Sequence, residues 1–289
     1  MLSTLRLAAY AKINLTLNIL GRRADGYHEL STVMQSVELC DRVTLRPGEG
    51  LRLLCRGDSL PLGEENTAFA AASLFFSATG ITPSVEIELE KQIPQAAGLA
   101  GGSADAAAVL AGLNRMHGAP LGEEELLTLA GKIGADVPFC LLGGTMLAEG
   151  IGERLTPLPP LPDCGLLLIK PCDKPSTGEM YRRADGCAFL PHPSAEAAFD
   201  ALRTGSLPAL GAALGNSFAA VWPSEEIAAA LSALRTAGAL GASLSGSGPT
   251  VFGIFESLSS AQHAAAALCA QYPVCFAVQP IGRGVEILE

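Results

Sequence analysis

The sequence predicts an α/β protein of two domains, and three observations predict it. Its 289 residues exceed what one ordinary core needs, because single cores stop growing at about 250–300 residues. Strand-like segments crowd the first half, whereas strands and helices alternate in the second. Between the halves lies Thr156-Pro-Leu-Pro-Pro-Leu-Pro-Asp163, which can continue neither a helix nor a central strand. The domain boundary is placed there, giving 1–156 and 164–289.

Taken in order, alternation or β-branched residues mark strands at about 5–20, 42–46, 51–55 and 85–89. Helical spacing marks 67–77, 103–116 and 123–133. Glu123, Glu124 and Glu125 fill the first turn of the last of these, where the helix dipole favours carboxylates, and Gly134 closes it. Beyond the prolines come a strand (165–170), helices near 177–183, 195–203 and 224–237, strands at 239–244 and 250–255, a helix at 259–271 and a strand at 273–278. That order fits an α/β sandwich of βαββαβ type. The alanine-rich stretches keep helical spacing and read as close-packed helices.

A formal net charge of −10 and a pI near 4.9 argue against broad binding to nucleic acid or an anionic membrane, since both need clustered Lys and Arg. A small anionic ligand needs only local dipoles and one or two lysines. The eight cysteines are scattered without a C-x-x-C pair and are expected to be reduced, in a cytoplasmic protein. Ala9-Tyr10-Ala11 has no basic and apolar segment before it, so no secretory signal is read. The longest apolar runs, such as 166–169, are too short to span a bilayer.

The most informative stretch is Pro94-Gln95-Ala96-Ala97-Gly98-Leu99-Ala100-Gly101-Gly102-Ser103-Ala104-Asp105, which runs into an alanine-rich helix. Its glycines let a backbone approach a ligand without a Cβ in the way, and unpaired N–H groups at the helix start suit an anionic oxygen cluster. The alternative is a packing turn before a helix N-capped by Ser103. The chain carries no G-x-x-x-x-G-K-[ST], no G-x-G-x-x-G after a strand and no H-R-D or D-F-G set, so P-loop, dinucleotide-binding and protein-kinase sites are excluded.

Four other segments bear candidate chemistry. In Ala11-Lys12-Ile13-Asn14-Leu15 the lysine and asparagine share one face of an apolar strand; that face is either a site or a solvent-facing edge. Gly21-Arg22-Arg23-Ala-Asp25-Gly26-Tyr27-His28-Glu29 places a tyrosine and a histidine after a turn, for packing or for a ligand. Gly134-Ala-Asp136-Val-Pro138-Phe139 sets one carboxylate before a proline-fixed turn. Asp136 is then a turn former, or a base that takes a hydroxyl proton while Lys12 stabilises it and the developing phosphoryl charge. Ser245-Gly-Ser-Gly-Pro-Thr250 joins two strands, as a hairpin or as a second phosphate contact.

In this order the segments resemble the GHMP kinase superfamily, and within it the branch that acts on a cytidine-diphosphate-linked methylerythritol. The resemblance covers nearly the whole chain. It implies an N-terminal α/β domain with a left-handed βαβ unit, a C-terminal ferredoxin-like domain and a site between them. It also implies ATP as phosphoryl donor, bound as its Mg2+ complex by residues 94–104 with Asn66 and Lys91 near the adenine. Lys12 and Asp136 would be catalytic. Asn14, Tyr27, His28, Tyr181 and Asp136 would hold the substrate, the aromatic pair and the imidazole at its cytosine. The partners implied are thus ATP and cytidine diphosphate methylerythritol, with neither nucleic acid nor membrane. Ala104 stands where many members have a second serine, so a hydroxyl for phosphate or magnesium falls to Ser103. Asn216 lacks the acidic residues that often follow it.

The rivals are a mevalonate or homoserine kinase of the same superfamily, against which the Tyr27-His28 pair weighs, and a nucleotide-binding regulator, which would not need Lys12 and Asp136 together.

Overall fold

The structure, a computed structural model, describes residues 3–56 and 60–288. Two antiparallel strands of unusual length, β1 (Leu5–Arg22) and β2 (His28–Pro47), form the spine of the first sheet. They stay paired throughout, but their register shifts between Tyr10 and Lys12, between Asn14 and Thr16, and between Ile19 and Gly21. Bulges of this kind bend a strand and re-aim its side chains, and here they flank Lys12 and Asn14.

The second strand changes neighbour along its length. Residues 30–35 pair with β5 (Thr145–Gly150), whereas residues 42–47 pair with β4 (Ser84–Glu90). Strand β3 (Gly50–Arg56) lies parallel to β4 across helix α1 (Thr67–Thr79), and β6 (Arg154–Pro157) closes the far edge on β5. Helices α2 (Gly101–Met116), α3 (Glu123–Ile133) and α4 (Val137–Leu142) complete this half. The alanines of α2 are there for close approach: Ala104, Ala106, Ala107 and Ala108 are fully buried. A Cβ on Gly112 would lie 2.5 Å from Leu45 Cδ1.

After the proline-rich stretch, β7 (Gly165–Lys170), β9 (Gly241–Leu244), β10 (Val251–Phe255) and β11 (Val274–Val278) form an antiparallel sheet in the order β11-β7-β10-β9. With α8 (Glu225–Thr236) and α9 (Leu258–Leu268), this is the expected βαββαβ sandwich. Between β7 and β9 also lie α5 (Thr177–Asp185), α6 (Ala195–Thr204), α7 (Leu207–Ala213) and the two-residue strand β8 (Gly215–Asn216).

The second sheet has no solvent-facing side. Leu166 and Leu168 of β7 join the core of the first half while Leu167 and Ile169 join a second core with α8 and α9, as a period of two requires. Burial on both faces explains why this segment is uninterrupted in apolar residues. The halves are also stitched by pairing. β8 lies parallel to β1, and β12 (Val285–Ile287) pairs Ala9, Ala8 and Leu7 of β1, so residues 285–287 belong to the first sheet.

Three expectations change. The helix after the glycine loop begins at Gly101 with Ala100 in the N-cap position, so Ser103 lies inside its first turn and is not the cap. Pro138 does not fix a turn; it sits in the first turn of α4, where its missing N–H costs nothing. Cys269 and Cys275, expected as thiols, form a disulfide across the link from α9 to β11. Cys40, Cys140, Cys164, Cys172 and Cys187 are free thiols. Among the described residues no helix is long and apolar enough to cross a membrane.

Candidate active site

A cleft of about 970 Å³ opens between the halves. One wall is the glycine loop. Ala96, Gly98 and Ala100 have positive φ of 50°, 78° and 58°, a conformation costly for the two alanines. Interspersed left-handed residues turn successive backbone N–H groups towards one side, which makes a concave anion seat. It leads directly into the N-terminus of the 16-residue α2, whose dipole has the same sign.

The Ser245–Thr250 turn proves to be the loop's support. A Cβ on Gly98 would lie 2.2 Å from the Ser245 carbonyl oxygen, so only glycine allows this approach. Ser245 Oγ donates to the Gly98 carbonyl at 2.9 Å, and Thr250 N–H donates to the Ala97 carbonyl at 3.3 Å. From α1, Thr67 Oγ1 donates to the Gly102 carbonyl at 2.7 Å. The loop is therefore held from both halves.

Lys12 and Asp136, 124 positions apart, meet at the cleft with Nζ and Oδ2 3.4 Å apart. Lys12 is almost wholly buried, whereas the Asp136 side chain is one-third exposed. Asp136 occupies the N-cap position of α4 but makes no capping hydrogen bond, which leaves its carboxylate to the cleft. Lys12 Nζ also donates to Asn14 Oδ1 at 2.8 Å. That oxygen accepts from Gly246 N–H at 2.9 Å as well, and Asn14 Nδ2 donates to Thr32 Oγ1 at 2.8 Å. Asn14 thus fixes the lysine head and keeps one amide hydrogen without a partner among the described residues.

Beneath the glycine loop lies a second lysine site that sequence reasoning missed. Lys91 Nζ contacts both Asp41 Oδ2 and Asp105 Oδ2, and all three side chains are at most 4% exposed. Asp41 Oδ1 also accepts from the N–H groups of Gln92 and Ile93, at 2.6 and 2.8 Å. Burial, the largest influence, together with nearby Asp41 pushes the Asp105 carboxyl up to about 7 against the pull of Lys91. Burial also opposes the charge of Lys91, but the two carboxylates outweigh it and leave its pKa raised. Only the fold could reveal this triad, because its members lie on β2, on α2 and just after β4.

At the opposite end, Tyr27 is largely exposed and His28 largely buried. His28 stacks on Tyr181 with ring centroids 4.8 Å apart and receives the carboxylate of Asp185, Oδ1 lying 2.7 Å from Nε2. Tyr181 also meets Phe218 edge-on at 5.0 Å. Burial, with Asp136 second, raises the pKa of the Tyr181 hydroxyl and keeps it protonated. Asp185 went unread in the sequence, although Tyr181 and Asp185 at i and i+4 share a helix face.

The remaining expected site residues divide. Pro94–Gly98, Ala100–Ser103 and Asn66 border the cleft, with Asn66 capping α1 by accepting from Ala68 N–H and donating to the Pro61 carbonyl. The side chains of Leu99 and Ala104 instead enter the core, and the Leu99 carbonyl accepts from Lys12 N–H. Lys91 borders the cleft, but its ammonium is committed to Asp41 and Asp105 rather than open to an adenine.

A glycine loop suited to an anion at a helix start, a lysine–carboxylate pair beside it and a ferredoxin-like second half are the features of a small-molecule kinase of the GHMP class. The sequence matches the GHMP kinases N terminal domain over residues 66–144 and the GHMP kinases C terminal family over 198–274. It is 48% identical over 269 residues to the 4-diphosphocytidyl-2-C-methyl-D-erythritol kinase of Pelotomaculum thermopropionicum, covering 89% of this chain and 91% of that one. A crystal structure of a 4-(cytidine 5'-diphospho)-2C-methyl-D-erythritol kinase superposes with a TM-score of 0.80 at 38% identity, over 96% of this chain and 99% of that chain. The chain belongs to the 4-diphosphocytidyl-2-C-methyl-D-erythritol kinase family. A homoserine kinase from Cytophaga hutchinsonii superposes at 0.77 but with 21% identity, over 100% of this chain and 98% of that one, a likeness of fold alone.

Proposed function

We propose that the protein transfers the γ-phosphoryl group of ATP to the 2-hydroxyl of 4-diphosphocytidyl-2-C-methyl-D-erythritol, a step in isoprenoid precursor synthesis. The observation that carries the mechanism is the Lys12–Asp136 pair at 3.4 Å on the cleft wall beside the glycine loop. ATP phosphates sit in the concavity of residues 94–103. Ser103, the one hydroxyl of the loop, would hold a magnesium ion on those phosphates, and the ion would supply charge to offset them.

Asp136 accepts the proton of the substrate hydroxyl as its oxygen attacks the γ-phosphorus. The bond from phosphorus to the β,γ-bridging oxygen breaks, and ADP leaves. Lys12, 3.4 Å from Asp136, orients it before transfer and offsets the negative charge that develops during it. Asn14 holds Lys12 in place and offers its remaining amide hydrogen to the substrate. Tyr27 stacks on the cytosine, while His28, held flat on Tyr181, pairs with its edge.

Turnover of ATP with the cytidine-diphosphate substrate, measured beside mevalonate and homoserine, tests this reading. Phosphorylation of the cytidine compound alone is expected. Preference for either of the other alcohols would overturn it.

A further inference from the structure

The base-reading histidine is itself held by a group outside the reaction. Nε2 of His28 and Oδ1 of Asp185 are 2.7 Å apart, and Oδ2 of Asp185 is 3.7 Å from Nη1 of Arg22. An ionised carboxylate, which here also pairs with the Arg22 guanidinium, can only accept. The hydrogen in this contact therefore comes from the imidazole. The other ring nitrogen, Nδ1, has no hydrogen-bond partner among the described residues, and it is not among their unpartnered buried atoms. It is thus accessible, and His28 lines both the main cleft and a smaller pocket that Asp185 lines as well. The stack on Tyr181, with ring planes 22° apart, fixes the imidazole plane and the direction of its lone pair.

We propose that Asp185 is a positioning residue for base selection: by holding the Nε2 proton of His28 it leaves Nδ1 as a bare acceptor, which selects a pyrimidine with an amine at position 4 over one with a carbonyl. Cytosine offers a donor there. Uracil offers a second acceptor, and two facing lone pairs leave both groups unpaired in a desolvated site. A carboxylate that fixes a ring tautomer from behind is the usual way to commit an imidazole to one role. The inference rests on the reading that the cytidine end of the substrate lies at Tyr27 and His28.

The test compares kcat/KM for the cytidine- and uridine-diphosphate methylerythritol substrates in wild type, Asp185→Asn, Asp185→Glu and Tyr27→Ala, with 15N NMR of the His28 ring. In Asp185→Asn, Arg22 attracts the amide carbonyl and turns the NH2 group towards Nε2, which moves the ring proton to Nδ1. Wild type is expected to show Nε2–H with bare Nδ1 and to favour cytidine by about 100-fold or more. Asp185→Asn should cut that ratio at least about tenfold, and Asp185→Glu should restore part of it.

A protonated Nδ1 in the wild-type enzyme overturns the proposal whatever the variants do. So does a cytidine-to-uridine ratio unchanged in Asp185→Asn, including the case in which both substrates lose the same factor, as a mere brace between β1 and α5 would give. Tyr27→Ala separates the two levels. If it weakens both substrates while Asp185→Asn leaves the ratio intact, the base subsite stands and the role of Asp185 falls. If neither variant affects either substrate, the base lies elsewhere and both readings fail.

Discussion

The cleft contains two lysine–carboxylate sites that differ in what their carboxylates can still do. At Lys91 the two aspartates are buried and committed to the ammonium, one of them also to two backbone N–H groups. At Lys12 the single aspartate stands 3.4 Å away and is one-third exposed. Asp41 is saturated with partners, so a proton it takes disrupts a bond already made, whereas Asp105 is tied to Lys91 through one oxygen and its Oδ1 is buried without a partner among the described residues. A carboxylate only loosely paired can accept a proton from a substrate. Burial and partner count, more than residue type, separate a brace from a base.

The largest effect should come from removing the proposed base. Asp136→Asn keeps the shape of the side chain but cannot take the hydroxyl proton, so kcat should fall about 10² to 10⁴-fold. Isothermal calorimetry should show ATP binding retained, and wild-type turnover in a folded variant would break the comparison.

The two lysines should next fail in opposite ways. Lys91→Met strands two buried carboxylates and should cost about 3–5 kcal/mol of stability in urea unfolding. Lys12→Met leaves only a carboxylate that water can reach, so its loss should appear mainly in kcat. If Lys12→Met unfolds the protein and Lys91→Met does not, the assignments are reversed.

Asp105 sharpens the contrast through pH. Its folded pKa, near 7, lies above the usual carboxylate value of about 4. The folded state therefore prefers it protonated, and this contribution is full below about pH 4 and lost as pH rises through about 7. Asp105→Asn cannot titrate, so its urea midpoint should decline less than that of wild type between pH 5 and 8. Parallel declines would assign the loss to other groups.

The smallest effect should be that of Ser245→Ala, which removes one hydrogen bond to the glycine loop and should cost about 1 kcal/mol. It should raise the KM for ATP more than it lowers kcat. An unchanged KM would show that the loop keeps its shape without the Ser245 hydroxyl.

Local signals made much of the fold legible. Residues 123–133 carry acidic residues in the first turn and a closing glycine, and the helix has those bounds. Residues 165–170 likewise form the strand expected of them. What escaped depends on distant partners. Strand β12 has three residues and exists because it pairs with β1. The first part of β2 was missed because residues 33–37 (Val-Met-Gln-Ser-Val) break alternation where the strand is buried on both faces.

The site divides in the same way. Lys12 and Asp136 were candidates from the residues themselves, family resemblance implied their catalytic roles, and the fold places them together. Asp41, Asp105 and Asp185 acquire meaning only when the topology brings a lysine or an imidazole to them. The disulfide was invisible for a related reason: six residues of separation between Cys269 and Cys275 resemble no familiar motif.

The pairing of residues 285–287 with residues 7–9 sets an order of events during synthesis. The N-terminal half emerges from the ribosome first, at about 5–20 residues per second, yet it cannot complete its sheet until residues 285–287 have been translated. For much of that time the free edge of β1, beside the strand segment that carries Lys12 and Asn14, stands open to pairing with another chain. A nascent chain stalled before residue 285 should therefore lack a finished phosphate-transfer site and be prone to aggregate, although all the residues assigned to that chemistry are already present.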